Sequence, residues 1–231
     1  MNMRANATEG AGLPAHEKVY RMLRDKVLFG DLAPGQAVTI QGLVEDLGAG
    51  MTPVREALRR LTAEGALEAL GNRRIAVPEL TAEAVTELTG ARVALEPMLA
   101  AKATEHVDEA CITAMEQTDA RLDQAILNGD IPGYLRENHA FHTLLNKAAQ
   151  SPIQKSLVDS LWLRFGPSQR VICGQVGTRN LPDWHKDLLA ALRQRDAEAA
   201  ARAIEEDVVQ GMGLLMRMVS PSSATDSIDS A

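Results

Sequence analysis

Between Leu47 and Thr52 the chain reads Gly48-Ala49-Gly50-Met51, a break so short that the segments on either side have to pack against each other. Both segments are amphipathic at helical spacing. Upstream the apolar stripe is Ile40, Leu43, Val44 and Leu47; downstream it is Val54, Ala57, Leu58 and Leu61, with Gly65 closing the run. Thr52 is expected to cap the downstream helix, with Pro53 in the first turn, where a missing N–H costs nothing. A further helix is predicted from Ala15 to Phe29 on Val19, Leu23 and Val27, stopped by Gly30-Asp31-Leu32-Ala33-Pro34-Gly35. Two short apolar pieces, Ala66 to Leu70 and Ile75 to Val77, flank Gly71-Asn72-Arg73-Arg74 and read as a hairpin with a basic tip. Three helices with a tight second turn, then a hairpin, is the order of a winged helix-turn-helix.

Past Pro78-Glu79-Leu80 the pattern becomes helical throughout, with predicted spans 81–104, 108–128, 131–149, 152–174, 183–194 and 196–218. Aromatic residues make up 3% of a chain that is 45% hydrophobic, so Ala, Leu, Val and Ile supply the core, which favours packed helices over sheets. The expected fold is therefore mainly α. A flexible N-terminus (1–14) precedes a winged helix-turn-helix (15–78); an all-helical antiparallel bundle (79–218) and a disordered tail (219–231) follow. No stretch has the length of a membrane span or the shape of a signal peptide, which predicts a cytoplasmic protein that does not engage a membrane. Cys111 and Cys173 lack metal or redox spacing and are expected to be reduced thiols.

The net charge of -7 divides unevenly. Residues 1–78 hold 10 Lys and Arg against 9 Asp and Glu, while the remainder holds 14 against 22. The first part is thus only weakly basic, and binding to DNA has to rest on where its arginines stand and on two copies acting together. Arg55 and Arg59 lie one turn apart on the face opposite Leu58 and Leu61. Arg55 is the expected reader of a base edge. Arg59, Arg60, Arg73 and Arg74 are expected on phosphates, and Thr52 lies at the helix N-terminus, which itself favours phosphate. The plainer alternative is a solvated helix face shared with Glu56 and Glu64.

The segment Leu43-Val44-Glu45-Asp46-Leu47-Gly48, then Thr52-Pro53-Val54-Arg55-Glu56-Ala57-Leu58-Arg59-Arg60-Leu61 and Glu64-Gly65-Ala66-Leu67, resembles the GntR family of bacterial regulators. Two positions depart from that pattern. Gly50-Met51 stands where the family has Ser-Arg, and Gln41 stands where many members have arginine. The resemblance therefore implies a different operator or a lowered affinity.

The second half resembles the FadR-type effector domain of that family, called FCD. The similarity is carried by Arg92-Val93-Ala94-Leu95-Glu96, Asn138-His139-Ala140-Phe141-His142, His185-Lys186-Asp187-Leu188-Leu189-Ala190-Ala191-Leu192 and the last helix from Asp196 to Asp207. Many such domains hold a divalent metal with one Asp and three His. Here those positions are Asn138, His142, His185 and Asp207, so an acid has become an amide and an imidazole an acid, which leaves the ligand set one negative charge. Zinc, nickel, manganese or iron would suit such donors. The alternative is that His142 and His185 are polar pocket residues, with Asp207 paired to one of them or to Arg92. Arg92 resembles a pocket arginine that grips a carboxylate effector; its alternative is a salt bridge with Glu96, four residues on. His139 is expected to face away from the pocket.

These features imply a ligand-responsive regulator, in this family most often a repressor, that binds a palindromic double-stranded DNA operator as a homodimer and senses a small organic acid. Two rivals remain. One is a regulator whose DNA heads are weakened by Met51 and Gln41 and which acts through a partner. The other is a metal-dependent helical enzyme, for which the chain offers no His-Glu-x-x-His and no nucleophile in a recognisable turn.

Overall fold

The computed structural model describes residues 13–71, 74–176 and 183–220. The N-terminal part runs α1 (Ala15–Leu28), β1 (Val38–Thr39), α2 (Ile40–Leu47), α3 (Met51–Ala63), β2 (Glu68–Gly71) and β3 (Arg74–Ala76). The strands form one antiparallel sheet in the order β1-β3-β2, with Val38 and Ala69 both opposite Ile75. The expected tip residues Asn72 and Arg73 lie outside the described residues, as do most of the two expected loose termini and the turn before Asp183.

Two boundaries differ from expectation for identifiable reasons. Gly50, extended at φ -70° and ψ 156°, is the N-cap of α3, and its carbonyl accepts from Val54 at 3.3 Å. Thr52 is therefore the second residue of the helix and does not cap it. At the other end Gly65 takes φ 72°, and the Ala66 N–H returns to the Leu61 carbonyl at 2.9 Å, closing α3 in a Schellman turn. Ala66 and Leu67 are consumed by that turn and buried, so β2 begins only at Glu68. Strand β1 was not anticipated; its two residues leave no period to read.

The second part consists of α4 (Ala82–His106), α5 (Glu109–Asn128), α6 (Ile131–Ala148), α7 (Pro152–Val176), α8 (Trp184–Gln194) and α9 (Ala197–Val219). Thr81, Asp108, Asp130, Asp183 and Asp196 each accept the N–H three residues on and start α4, α5, α6, α8 and α9. Each cap is worth about 1 kcal/mol. Part of this half's excess negative charge is therefore cap chemistry, placed where the helix dipole favours it. Helices α4 and α9 pack along each other, with α6, α7 and α8 around them and α5 against α6 and α8. None of the described helices is long and apolar enough to cross a membrane.

The two parts share one continuous cluster of buried residues, from Val19 through Leu61 in the head to Trp162 and Leu215 in the bundle. The junction is α1 against α7. Gly166 lies so close to the Leu28 carbonyl that a Cβ there would overlap the oxygen. Arg170 donates to the Phe29 carbonyl at 3.2 Å and pairs with Asp31 at 3.3 Å, and Arg164 donates to the Glu64 carbonyl at 3.2 Å. The head is docked onto α7 rather than tethered to it.

Candidate functional site

Helix α3 buries Val54, Ala57, Leu58 and Leu61 and turns Thr52, Arg55, Glu56 and Arg59 to solvent. Arg55 makes no hydrogen bond or ion pair among the described residues, so its donors are free. Arg59 is 74% exposed and grips Glu56, Nη2 to Oε1 at 2.7 Å and Nε to Oε2 at 3.1 Å. A surface pair of this kind stabilises by about 1 kcal/mol at most, which a phosphate can displace. Arg74 is exposed on β3, while Arg73 lies outside the described residues.

Arg60, expected on phosphates, is engaged within the head. Its guanidinium stacks 3.5 Å above the Tyr20 ring and pairs with Glu17 at 3.1 Å and Glu64 at 3.2 Å. Those acids and the aromatic face come from α1 and the end of α3, so Arg60 joins α3 to α1 and lines the cleft between head and bundle. On α2, Gln41 is occupied with Glu45 at 3.0 Å. Met51, at the start of α3, is 36% exposed and brings no donor.

The second constellation lies inside the bundle. Helix α6 supplies Asn138 and His142, α8 supplies His185, α9 supplies Asp207, and α4 supplies Arg92 and Glu96. Asn138, His142, His185, Arg92 and Glu96 are all buried. His142 Nε2 is 3.2 Å from Asp207 Oδ2 without hydrogen-bond alignment, and its Nδ1 is 3.8 Å from Glu96 Oε2. Ligand atoms of His142, His185 and Asp207 lie within 4.8 Å of one another. Burial works to raise the Asp207 pKa, but His142, His185 and Arg92 outweigh it and hold the carboxyl at about 2. Asp207 is thus held in its anionic form near two imidazoles. Cys173, on the same cavity wall, is pushed the other way by burial, up to about 12, and is an inert thiol.

Arg92 does line this cavity, beside Asn138 and Asp207, but its fork is already filled. Nε donates to Glu96 Oε1 at 2.5 Å and Nη2 to Oε2 at 3.3 Å, with both side chains buried. Of the two expectations for Arg92, the pair with Glu96 is formed here, inside the bundle. The guanidinium also lies 4.8 Å from the Trp162 ring centre and 4.5 Å from that of Phe165, both on α7. The space left in the cavity is ≈ 50 Å³. That suits an ion or a water, well short of the roughly 300 Å³ at which organic-ligand pockets begin.

The buried side-chain atoms without a hydrogen-bond partner include both ring nitrogens of His142 and Nε2 of His185. Such atoms are costly to leave bare, and a divalent ion taking one lone pair from each imidazole and an oxygen of Asp207 would satisfy two of the three, leaving one His142 nitrogen as an N–H, with Glu96 Oε2 3.8 Å from Nδ1. The donor set therefore fits a metal. Asn138 also lines the cavity, with Asp207. Such an ion would supply positive charge and open coordination positions; the chain's own part is to aim the donors and exclude bulk water.

Sequence reasoning missed three groups. Asp119 on α5 holds His185 from behind, Nδ1 to Oδ1 at 3.1 Å, a contact spanning 66 positions that no local spacing signals. Arg164 and Arg170 carry no spacing or motif that sets them apart from the other charged residues of a helical pattern. Gly166-Pro167 inside a helical pattern was the available sign of a close backbone approach. His139 does point away from the bundle cavity, but it lies between the head and α7. Its ring is edge-on to Phe29 at 5.8 Å and to Trp162 at 5.3 Å.

Comparison with known proteins identifies both parts. Residues 15–77 match the family described as bacterial regulatory proteins, gntR family, and residues 87–209 match the FCD domain. The HTH-type transcriptional regulator McbR of Escherichia coli is 29% identical over 196 residues, covering 84% of this chain and 89% of McbR. The HTH-type transcriptional regulator YdhC of Bacillus subtilis is 28% identical over 147 residues, covering 63% of this chain and 66% of YdhC. The structure of E. coli McbR superposes with a TM-score of 0.84 at 27% identity, covering 90% of this chain and all of McbR's. A GntR regulator from Rhodococcus sp. RHA1 shares the fold at a TM-score of 0.71 and 20% identity, over 89% of this chain and 99% of its own. With a winged helix-turn-helix on one side of α7 and a helical bundle on the other, the chain belongs to the GntR family of transcription regulators, in the branch that carries an FCD domain.

Proposed function

We propose that the protein is a ligand-responsive repressor that binds a palindromic operator as a homodimer and is released by a small carboxylate entering the bundle. Arg55 reads a base edge, Thr52, Arg59, Arg73 and Arg74 hold phosphates, and half-sites lie about one helical turn apart. A divalent ion, zinc, nickel, manganese or iron, held by His142, His185 and Asp207 with Asn138 beside them, supplies the charge that attracts the carboxylate. The regulator acts in the cytoplasm, where its operator is.

The observation that carries this reading is that Arg92 rests on Trp162 and Phe165, while the next residue of α7, Gly166, carries the head through Leu28. A carboxylate competing for the Arg92 fork must displace Glu96 and enlarge a cavity of ≈ 50 Å³, which moves the aromatic pair and with it the seat of α1. Ligand binding and head placement then belong to one two-state rearrangement, and the ligand's preference for the open state sets how far DNA affinity shifts.

The test is fluorescence anisotropy with labelled duplex from upstream of the protein's own gene, titrated with and without a panel of carboxylates and sugar acids, each with added metal. The reading expects a specific complex that at least one acid weakens by roughly tenfold, a coupling of ordinary size. If every acid leaves a specific complex unchanged, the sensor mechanism falls while DNA binding stands. A second reading, a regulator acting through a partner protein, is favoured by the apolar Met51 at the start of α3 and by Gln41 tied to Glu45. It predicts no specific complex at all in the same titration.

A further inference from the structure

We infer that Asp119 is a positioning residue for the bundle site: its carboxylate fixes the His185 ring so that Nε2 faces His142 and Asp207, with Lys186 as its counter-charge. The inference rests on reading those three residues as metal ligands. Asp119 sits on α5 with its side chain 4% exposed, and its Oδ1 is 3.1 Å from His185 Nδ1. A carboxylate only accepts, so the hydrogen between them belongs to Nδ1, and in the neutral ring the lone pair is left on Nε2. That Nε2 is buried and has no hydrogen-bond partner. Phe141 stacks on the same imidazole at 3.9 Å with the planes 14° apart, which fixes its tilt. One contact therefore sets the tautomer and another the plane, and together they leave a lone pair aimed among the other candidate ligands.

The second oxygen of Asp119 meets the Lys186 ammonium, which also reaches Asp123 at 3.0 Å and Asp183 at 3.1 Å. Lys186 follows His185 directly on α8, so the ion pair holds Asp119 at the place from which it reaches the ring. A carboxylate behind a ligating imidazole raises the basicity of the ring and holds its orientation, and its loss typically costs 10- to 100-fold in metal affinity. The competing explanation is that Asp119 and Lys186 only stitch α5 to α8.

The experiment uses full-length protein stripped with chelator and titrated with Zn²⁺ or Ni²⁺ against a chromophoric competitor, with unfolding of the metal-free form followed separately. Wild type is expected to bind one ion per chain and His142→Ala none. Asp119→Asn is expected to bind about 10- to 100-fold more weakly. Arg193→Gln removes the pairs with Glu109 and Glu116, which also join α8 to α5 but touch neither Asp119 nor His185, and is expected to stay within about threefold of wild type. Should Asp119→Asn not fold, Asp119→Glu, which keeps the charge but displaces the oxygen, is expected to show the same weakening. If the Asp119 variants bind as tightly as wild type, or if Arg193→Gln weakens binding as much as they do, the positioning role is wrong and the metal site survives. If wild type takes up no ion, or His142→Ala takes up as much, the metal reading fails and the inference fails with it.

Discussion

Arg92 and Glu96 form a salt bridge one helical turn apart with 2% and 1% of their side chains exposed. Glu198 and Arg202 make the same kind of pair on α9, in water. The chemistry is equal and the surroundings are not. Removing one partner of a buried pair leaves a charge in a medium that cannot solvate it. Glu96→Gln is expected to lower the unfolding free energy by about 3 kcal/mol. Glu198→Gln is expected to change it by less than about 0.5 kcal/mol. Urea denaturation of the three proteins decides it, and equal midpoints for the two variants would show that Arg92 finds solvation elsewhere.

Gly166 is the point at which the head touches α7 without room for a methyl group. Gly166→Ala has to push the Leu28 carbonyl away, and such overpacking typically costs about 1–3 kcal/mol. The expected signature is local: faster amide exchange at the end of α1, unchanged exchange in α5 and α9, and DNA binding that no longer responds to ligand. Uniform exchange across the chain would mean that the contact is not the seat of the head.

Arg55 and Arg60 stand five residues apart on one helix but are expected to fail in opposite ways. Arg55→Ala should abolish the specific DNA complex with a stability change within about 0.5 kcal/mol, because its side chain holds nothing in the fold. Arg60→Ala removes the ring contact and one ion pair between α3 and α1, with a second pair to Glu64 at the end of α3, and should cost about 1 kcal/mol with DNA affinity nearly retained. Anisotropy and thermal unfolding on both variants separate the roles.

Much of this was legible because the information was local. The α3 stripe, the Gly30 and Gly65 stops, and the pairing of Asn138 with His142 on one face all follow from spacing within a few residues. The fate of Arg60 was not legible, since Tyr20 and Glu17 lie some forty positions away and only the packing of α1 on α3 brings them near. Arg92 marks the same boundary. Its spacing to Glu96 suggested the pair, but whether that pair is a weak surface contact or a closed buried lock depends on α7 and α9 around it. Likewise Asp119 has no motif of its own and gains meaning only when α8 is laid beside α5.

Acid should loosen the head. Burial first, then the charge of Arg24, holds His139 down at about 3, so in the fold it stays neutral through mildly acidic pH. The unfolded chain takes up that proton below the ordinary value of about 6.5, binds more protons than the fold, and gains from acid what the fold does not. Stability is therefore complete above about pH 6.5 and declines from there toward pH 3, by about 2 kcal/mol at pH 5. Asp207, held at about 2, adds its own loss only as the pH falls toward the ordinary value of 3.8 and below, where the unfolded chain takes up that proton as well. His139→Phe is expected to flatten the decline between pH 6.5 and 5; an unchanged slope in urea melts at the two pH values would place the acid sensitivity elsewhere.

The shared core across α1 and α7 bears on how such regulators can be recombined. A chimera that grafts a foreign reading head onto this bundle at the residue-78 junction would inherit α7's vacant methyl position at Gly166 and its two outstretched guanidiniums at 164 and 170. Unless the donor head ends its first helix with a carbonyl at the matching place, the transplant exposes an apolar scar and loses the contacts that seat the head. Promoter specificity in this architecture is thus transferable only together with the end of α1 and the turn after α3.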